Sequence, residues 1–143
     1  MKKFGIFMAI FALTFFVAGC KISVAGEGKV ELIVHADTEQ WGKTYLCSSS
    51  KKVPSPKFTL ENLPGETKYV SVSMRDLSYK NYDHGTSIIE FSGGNDILEA
   101  AFSVIRPCNR KGPSVHRYEF KVNALNAKKD TVAQGKAIVE IGK

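Results

Sequence analysis

The sequence lacks the short motifs that mark common catalytic and nucleotide-binding sites. It has no Gly-x-Ser-x-Gly element to present a nucleophilic serine, and the serines at 48–50 are typical of a loop. Ser92-Gly93-Gly94-Asn95 is not followed by the Gly-Lys-Ser/Thr of a phosphate loop, so it predicts a turn. These absences favour a non-enzymatic protein without a cofactor.

Closely spaced metal ligands are also absent. The chain has three histidines, and none lies near a cysteine or a second histidine at zinc-motif spacing. A zinc site is the alternative, because histidine and carboxylate side chains are suitable zinc ligands. Its ligands would be Asp76, His84 and His116. Their wide separation favours the prediction that no metal site is present.

Beyond the N-terminus the chain has little helical periodicity and much alternation of apolar and polar residues. The cleanest alternation covers residues 117–124, and a second covers residues 70–75. A third covers residues 30–34, although Ile33 interrupts its polar face. Residues 88–91 and 137–141 are typical of further strands. Period-two alternation indicates strands with one buried face, as in antiparallel sheets.

Turn-forming segments separate these strands at residues 63–65, 92–96 and 107–113. One short helix is predicted at residues 97–102, behind an Asn95 or Asp96 cap. The pattern therefore predicts a single, mostly β domain, an antiparallel β-sandwich. It is not of immunoglobulin type, because that fold places its core tryptophan between the bridged cysteines. The only tryptophan, Trp41, precedes Cys47.

The longest apolar run lies at the N-terminus and has the three parts of a secretion signal. Two lysines supply the positive charge, residues 4–17 are almost wholly apolar, and Ala18-Gly19 is a small-residue cleavage border. A transmembrane helix is the alternative, but it needs about 20 apolar residues. Since this run is shorter, we expect residues 1–19 to be a signal peptide.

Val17-Ala18-Gly19-Cys20 resembles a lipobox, the pattern recognised by lipoprotein-processing enzymes. The resemblance implies that Cys20 receives a diacylglycerol and becomes the N-terminus. Each buried methylene adds about 0.8 kcal/mol of membrane affinity, so two or three acyl chains anchor a protein stably. Ser23-Val24-Ala25 is a competing signal-peptidase site, whose use would release a soluble protein. We expect the lipid anchor, with residues 20–28 as a tether and residues 29–143 as the domain.

Three cysteines are an odd number, which requires an explanation in an exported protein. If Cys20 carries lipid, Cys47 and Cys108 remain, and they can pair in an oxidising compartment. A bridge across a loop of that length contributes roughly 4 kcal/mol to stability by loop-closure entropy. A reactive thiol at either position is the alternative.

The chain has 20 Lys and Arg against 14 Asp and Glu, which gives a net charge of +6. Removal of Lys2 and Lys3 with the signal leaves 18 against 14, a charge of +4. An exported protein rarely meets nucleic acid, so we expect no nucleic-acid partner. The excess is typical of a solvated surface, and weak attraction to anionic lipid headgroups is the second interpretation.

Several segments form an ordered set of motifs along the mature chain. They are Tyr45-Leu46-Cys47, Ser55-Pro56-Lys57-Phe58-Thr59-Leu60, Leu63-Pro64-Gly65-Glu66-Thr67-Lys68 leading to Asp76, Pro107-Cys108 with Gly112, and His116-Arg117-Tyr118-Glu119-Phe120 continuing to Ala124-Leu125. Taken together, they resemble the phosphatidylethanolamine-binding protein family in its bacterial Raf-kinase-inhibitor-like branch. The resemblance covers most of the mature chain. It implies a β-sandwich with a small pocket that holds phosphate, acetate or a phospholipid headgroup. It also implies that Cys47 and Cys108 lie close together.

A phosphate-sized anion needs hydrogen-bond donors that converge from several loops, with positive charge nearby. The expected anion site consists of Asp76, His84, His116 and Tyr118, on positions that match the family, and of Arg106, which is peculiar to this sequence. Arg110 is an alternative to Arg106 as the guanidinium donor. Asp76 would orient a histidine or meet an ammonium group. The alternative for His116 is a histidine satisfied at a strand start, and that for His84 is an exposed turn at residues 83–85.

The chain departs from the family pattern at several places. Of the family's Asp-Pro-Asp only Asp76 is kept, and His84-Gly85 stands for its His-Trp pair. Arg106 replaces a glycine, Asn109-Arg110 replaces two prolines, and residues 125–137 are too few for the family's C-terminal helix. The resemblance therefore indicates a shortened and divergent member.

Two functions remain. The first is an envelope-anchored binding protein for a small anionic or phospholipid-headgroup-like ligand, which we prefer. The alternative is a protein-interaction or inhibitor scaffold with a vestigial pocket and a protein partner. Lys21 after the lipidated cysteine, rather than aspartate, implies an outer-membrane anchor facing the periplasm in a Gram-negative cell.

Overall fold

A computed structural model describes residues 29–108 and 114–142. The predicted signal peptide, Cys20, the tether, Arg110 and Gly112 lie outside the described residues. The elements, in chain order, are β1 (Val30–Glu31), β2 (Ile33–Asp37), α1 (Glu39–Tyr45), β3 (Lys52–Pro54), β4 (Lys57–Glu61), β5 (Tyr69–Asp76), β6 (Tyr82–Glu90), β7 (Asp96–Ile97), β8 (Ser103–Ile105), β9 (Val115–Leu125) and β10 (Thr131–Gly142).

The five-stranded sheet is built around the two strands with the clearest alternation. Its order is β1-β10-β9-β5-β6, with antiparallel pairs throughout except for the short parallel pair of β1 and β10. Along β9 the even-numbered residues from His116 to Ala124 are buried, while the odd-numbered side chains up to Asn123 are exposed or half-buried. In β5 the even-numbered residues from Val70 to Asp76 are buried in the same way. The alternation thus predicted which face of each strand is buried.

A second layer covers the buried face of this sheet. It consists of the three-stranded sheet β2-β4-β7 and the strand pair β3-β8. Phe58 of β4 packs edge-to-face on Phe120 of β9, with 5.3 Å between ring centroids, and stacks on Phe102 at 6.1 Å. The two layers therefore enclose one apolar core, as expected for the mostly β sandwich predicted from the sequence.

The predicted helix at residues 97–102 is wrong. Asp96 and Ile97 form β7, which pairs with β4 through Phe58 and Thr59. The Asp96 carboxylate accepts a hydrogen bond from Thr59 Oγ1 at 2.8 Å and pairs with Lys57 at 3.1 Å, so it caps no helix. Burial of Ile97 in the ladder outweighs the weak helical pattern of so short a segment.

The one helix among the described residues, α1, was not predicted. It has seven residues, contains Gly42, and buries Trp41, whose Nε1 donates to the Pro54 carbonyl at 2.6 Å. Two turns with a central glycine give too short a period to recognise from sequence. No helix in the described part of the chain is long and apolar enough to span a membrane.

Candidate anion-binding site

A cavity of about 450 Å³ opens at one end of the five-stranded sheet. Here β5 ends, β6 and β9 begin, and the chain leaves β8. The described residues that line it are Lys51, Asp76, Tyr79, Tyr82, His84, Ile105, Arg106 and Cys108. Because several strands begin or end here, side chains that are distant in sequence lie close together at this end of the sheet.

Asp76 closes β5 on its buried face and is 3% exposed. Its Oδ1 accepts hydrogen bonds from the backbone N–H groups of Ser78 at 2.8 Å and Tyr79 at 3.1 Å. Its Oδ2 lies 2.5 Å from His116 Nδ1. The carboxylate thus fixes the turn between β5 and β6 and also orients a histidine of β9, which was the first of the two roles predicted for it.

His116 is 1% exposed and faces the core side of β9. Asp76 is hydrogen-bonded to Nδ1 of the His116 ring. The other ring nitrogen, Nε2, has no hydrogen-bond partner among the described residues. A buried polar atom without a partner is rare and calls for an ordered water or a ligand. The alternative of a fully satisfied histidine at a strand start therefore accounts for only one of its two nitrogens.

His84 lies in β6 and is 4% exposed, so the alternative of an exposed turn at residues 83–85 is wrong. Its Nδ1 lies 3.0 Å from the Ile105 carbonyl oxygen. Burial lowers the pKa of the His84 imidazole, while the carbonyls of Ile105 and Arg106 and the carboxylates of Asp76 and Asp83 act in the opposite direction. The neutral ring is therefore favoured.

Tyr118 lies between the two histidines on the core face. Its ring contacts that of His84 edge-to-face at 5.3 Å and stacks on that of His116 at 6.2 Å. Burial raises the pKa of the Tyr118 phenol, Asp76 raises it further, and a backbone hydrogen bond with Cys108 lowers it. The phenol is thus protonated at neutral pH and connects the histidines to the loop after β8.

Two cations complete the cavity. Lys51 precedes β3 and Arg106 follows β8, and the Arg106 N–H donates to the Lys51 carbonyl at 2.9 Å. Within the described residues neither side chain forms an ion pair. Two unpaired cations beside histidine give the cavity a positive character, which suits an oxyanion.

A disulfide between Cys47 and Cys108 holds the loop on this side of the cavity. The Cys47 N–H donates to the Pro107 carbonyl at 2.7 Å, so the two segments are joined by a covalent bond and a hydrogen bond. The predicted pairing is confirmed, and Cys108 itself lines the cavity. The bridge therefore positions the loop that carries Arg106.

The structure brings all five predicted site residues to this end of the sheet. Asp76, His84 and Arg106 line the cavity. His116 and Tyr118 pack behind them, in contact with Asp76 and His84, and are not among the described lining residues. The two histidines thus differ in position, because His84 borders the cavity and His116 supports it from the core.

Sequence reasoning missed Lys51, Tyr79, Tyr82 and Ile105. Tyr82 stands two residues before His84 in β6, and its ring packs edge-to-face on that histidine at 5.0 Å. That spacing was a usable signal. Lys51 had none, because it reaches the cavity only through the pairing of β3 with β8. Across residues 29–108 and 114–142, no three His, Cys, Asp or Glu side chains are grouped to hold a metal ion.

Acidification should destabilise the wild-type protein more than the His84→Asn variant. A histidine whose folded pKa is depressed contributes stability above its unfolded pKa, near 6.5. That contribution is lost as the pH falls from about 6.5 towards the folded pKa, because the unfolded state takes up a proton first. Melting temperatures between pH 8 and pH 5 measure this loss, and the gap between the two proteins should change across that window. His35→Asn, at an exposed histidine of β2, is the matched control. Parallel melting curves for wild type and His84→Asn would contradict the prediction.

Comparison of sequences matches the chain to no family model and to no curated protein. Comparison of folds does find neighbours. Escherichia coli YbcL, a member of the mammalian PEBP family, aligns with a TM-score of 0.59 at 16% identity, over 80% of this chain and 99% of that one. The Chlamydia trachomatis phosphatidylethanolamine-binding protein homolog CT736 aligns with a TM-score of 0.55 at 17% identity, over 81% and 99%. The resemblance predicted from the ordered motifs is thus confirmed at the level of the fold. The chain has the fold of the phosphatidylethanolamine-binding proteins.

Proposed function

We propose that this protein is a lipid-anchored component of the cell envelope whose domain binds a small anion at the described cavity without catalysing a reaction. The observation that carries the proposal is the pair of cations Lys51 and Arg106, which form no ion pair with any described residue and lie in a cavity that also contains the buried His84. A guanidinium forms two parallel hydrogen bonds to phosphate oxygens, and an ammonium adds a second charge.

The histidine geometry supports the same proposal. His84 prefers the neutral form when the cavity holds no anion, and a bound anion stabilises its protonated form. Anion binding is therefore coupled to proton uptake by His84. The carboxylate of Asp76 is engaged by three hydrogen bonds, which leaves the cations as the dominant charge in the cavity.

Calorimetry with inorganic phosphate tests the proposal. Arg106→Ala should weaken phosphate binding by about ten- to a hundred-fold, since loss of a charged hydrogen bond costs about 1.5–3 kcal/mol. Lys52→Ala is the matched control, because it removes the same charge from an exposed side chain next to Lys51. Equal losses in both variants would show that only net charge matters. If the wild type binds no phosphate at millimolar concentration, the pocket is vestigial and the scaffold alternative takes its place.

The proposed anchor is tested separately, because it depends on Cys20 and not on the cavity. Wild-type protein should partition into the detergent phase, since two or three acyl chains bury many methylenes. Cys20→Ala should send the mature protein to the aqueous phase or leave the precursor uncut. Identical partitioning of wild type and variant would rule out the lipid anchor.

A further inference from the structure

Among the described residues that line the cavity, none offers a free counter-charge to a cationic ligand group. Asp76 is the only acidic residue among the described lining residues, and its side chain is 4% exposed. Both of its oxygens already accept hydrogen bonds, from two backbone N–H groups and from His116. An ammonium group entering the cavity therefore finds no carboxylate that can pair with it without breaking the turn after β5.

The aromatic side chains are a weak substitute for that counter-charge, because a cation–π contact at an exposed ring contributes little. Tyrosine rings can attract ammonium groups over their faces. However, the Lys80 ammonium already lies 5.9 Å from the centre of the Tyr79 ring. The Tyr82 ring packs edge-to-face on His84. Lys51 and Arg106 add repulsion, so a ligand cation is disfavoured from each side of the cavity.

The remaining wall suits an uncharged apolar group. Tyr79, Tyr82 and Ile105 present aromatic and aliphatic surface beside the two cations, and Tyr82 is 45% exposed. A volume of about 450 Å³ lies in the range of cavities that hold small organic molecules, and it exceeds the needs of a bare ion. The cavity thus has one region that suits an oxyanion and a second region that suits an apolar group bonded to that oxyanion.

We infer that the cavity selects phosphate monoesters whose organic group is apolar and uncharged, and that it discriminates against zwitterionic headgroups such as phosphoethanolamine. This inference rests on the proposed anion site and names its ligand class. The phosphate lies between Lys51 and Arg106, and the organic group contacts Tyr79 and Tyr82. The selectivity arises because Asp76, the one carboxylate among the described lining residues, is already hydrogen-bonded within the protein through both of its oxygens.

Ethyl phosphate and phosphoethanolamine form a matched pair of probes, because they differ only by the ammonium group. Calorimetry at pH 8, where both phosphates are dianions, should give at least about tenfold tighter binding of ethyl phosphate. Phenyl phosphate should bind several-fold tighter than inorganic phosphate, because its ring buries apolar surface against the tyrosines. Lys51→Glu should weaken ethyl phosphate binding and reduce or reverse the preference, since it supplies the missing carboxylate.

A pair of tyrosine variants separates the apolar wall from general effects. Tyr79→Ala should abolish the advantage of phenyl phosphate over inorganic phosphate. Tyr69→Ala is the control, because Tyr69 also has a lysine over its ring, Lys129 at 5.5 Å, but does not line the cavity. Phosphoethanolamine binding as tightly as ethyl phosphate would overturn this inference while leaving the anion site intact. Failure of inorganic phosphate to bind would instead refute the proposed function on which it rests.

Discussion

Replacing Cys47 and Cys108 together with serine should lower the free energy of unfolding by about 2–5 kcal/mol. The bridge joins residues 61 positions apart, so it restricts the unfolded chain strongly. It also ties two segments with little regular structure, the loop after α1 and the segment after β8. Cys47 has a φ of 51°, which non-glycine residues adopt at a cost, and the bridge helps to hold it there.

Urea denaturation measures this loss, and a reducing agent supplies the control. Reduced wild type should unfold at the same urea concentration as the double serine variant, while the variant itself should not respond to reductant. Because Cys108 lines the cavity and Arg106 lies two residues before it, phosphate affinity should fall together with stability. Wild type that keeps both properties after complete reduction would contradict the structural role assigned to the bridge.

The strands that the sequence predicted most accurately are those with one fully buried face. In β9 and β5 each second side chain enters the core, and period-two alternation records that burial directly in the sequence. The family resemblance also indicated Asp76, His84 and His116, and the structure places them where β5, β6 and β9 meet at one edge. Local patterns sufficed wherever one strand alone determines which side chains are buried.

Elements that depend on distant pairing were not predictable in this way. β7 has two residues, and only its ladder with β4 decides that Ile97 belongs to a strand and not a helix. Likewise β3 and β8 have three residues each, and their register brings Lys51 next to Arg106. The positive character of the cavity therefore results from contacts between segments about fifty residues apart, which no local pattern contains.

The second large effect is expected at Asp76, whose replacement by alanine should cost about 3–5 kcal/mol. Each buried group left without its hydrogen-bond partner costs about 1–3 kcal/mol, and three donors lose their acceptor here. Here the loss leaves His116 without the partner of its Nδ1, in addition to the Nε2 that already has none among the described residues. It also frees the backbone N–H groups of Ser78 and Tyr79, which hold the turn between β5 and β6.

Asp83→Ala is the matched control for Asp76→Ala, because it removes the same charge one strand away. The Asp83 carboxylate is exposed and, within the described part of the chain, accepts one hydrogen bond, from the Gly85 N–H at 2.8 Å, so its loss should cost about 1 kcal/mol or less. Asp76→Asn should fall between the two, since an amide oxygen can still accept from the turn. Denaturation of the three variants in urea gives the order directly. If Asp76→Ala and Asp83→Ala lose equal stability, the hydrogen bonds of the Asp76 carboxylate do not stabilise the folded protein. It would then be free to pair with a ligand ammonium, and the selectivity inferred for the cavity would lose its physical basis.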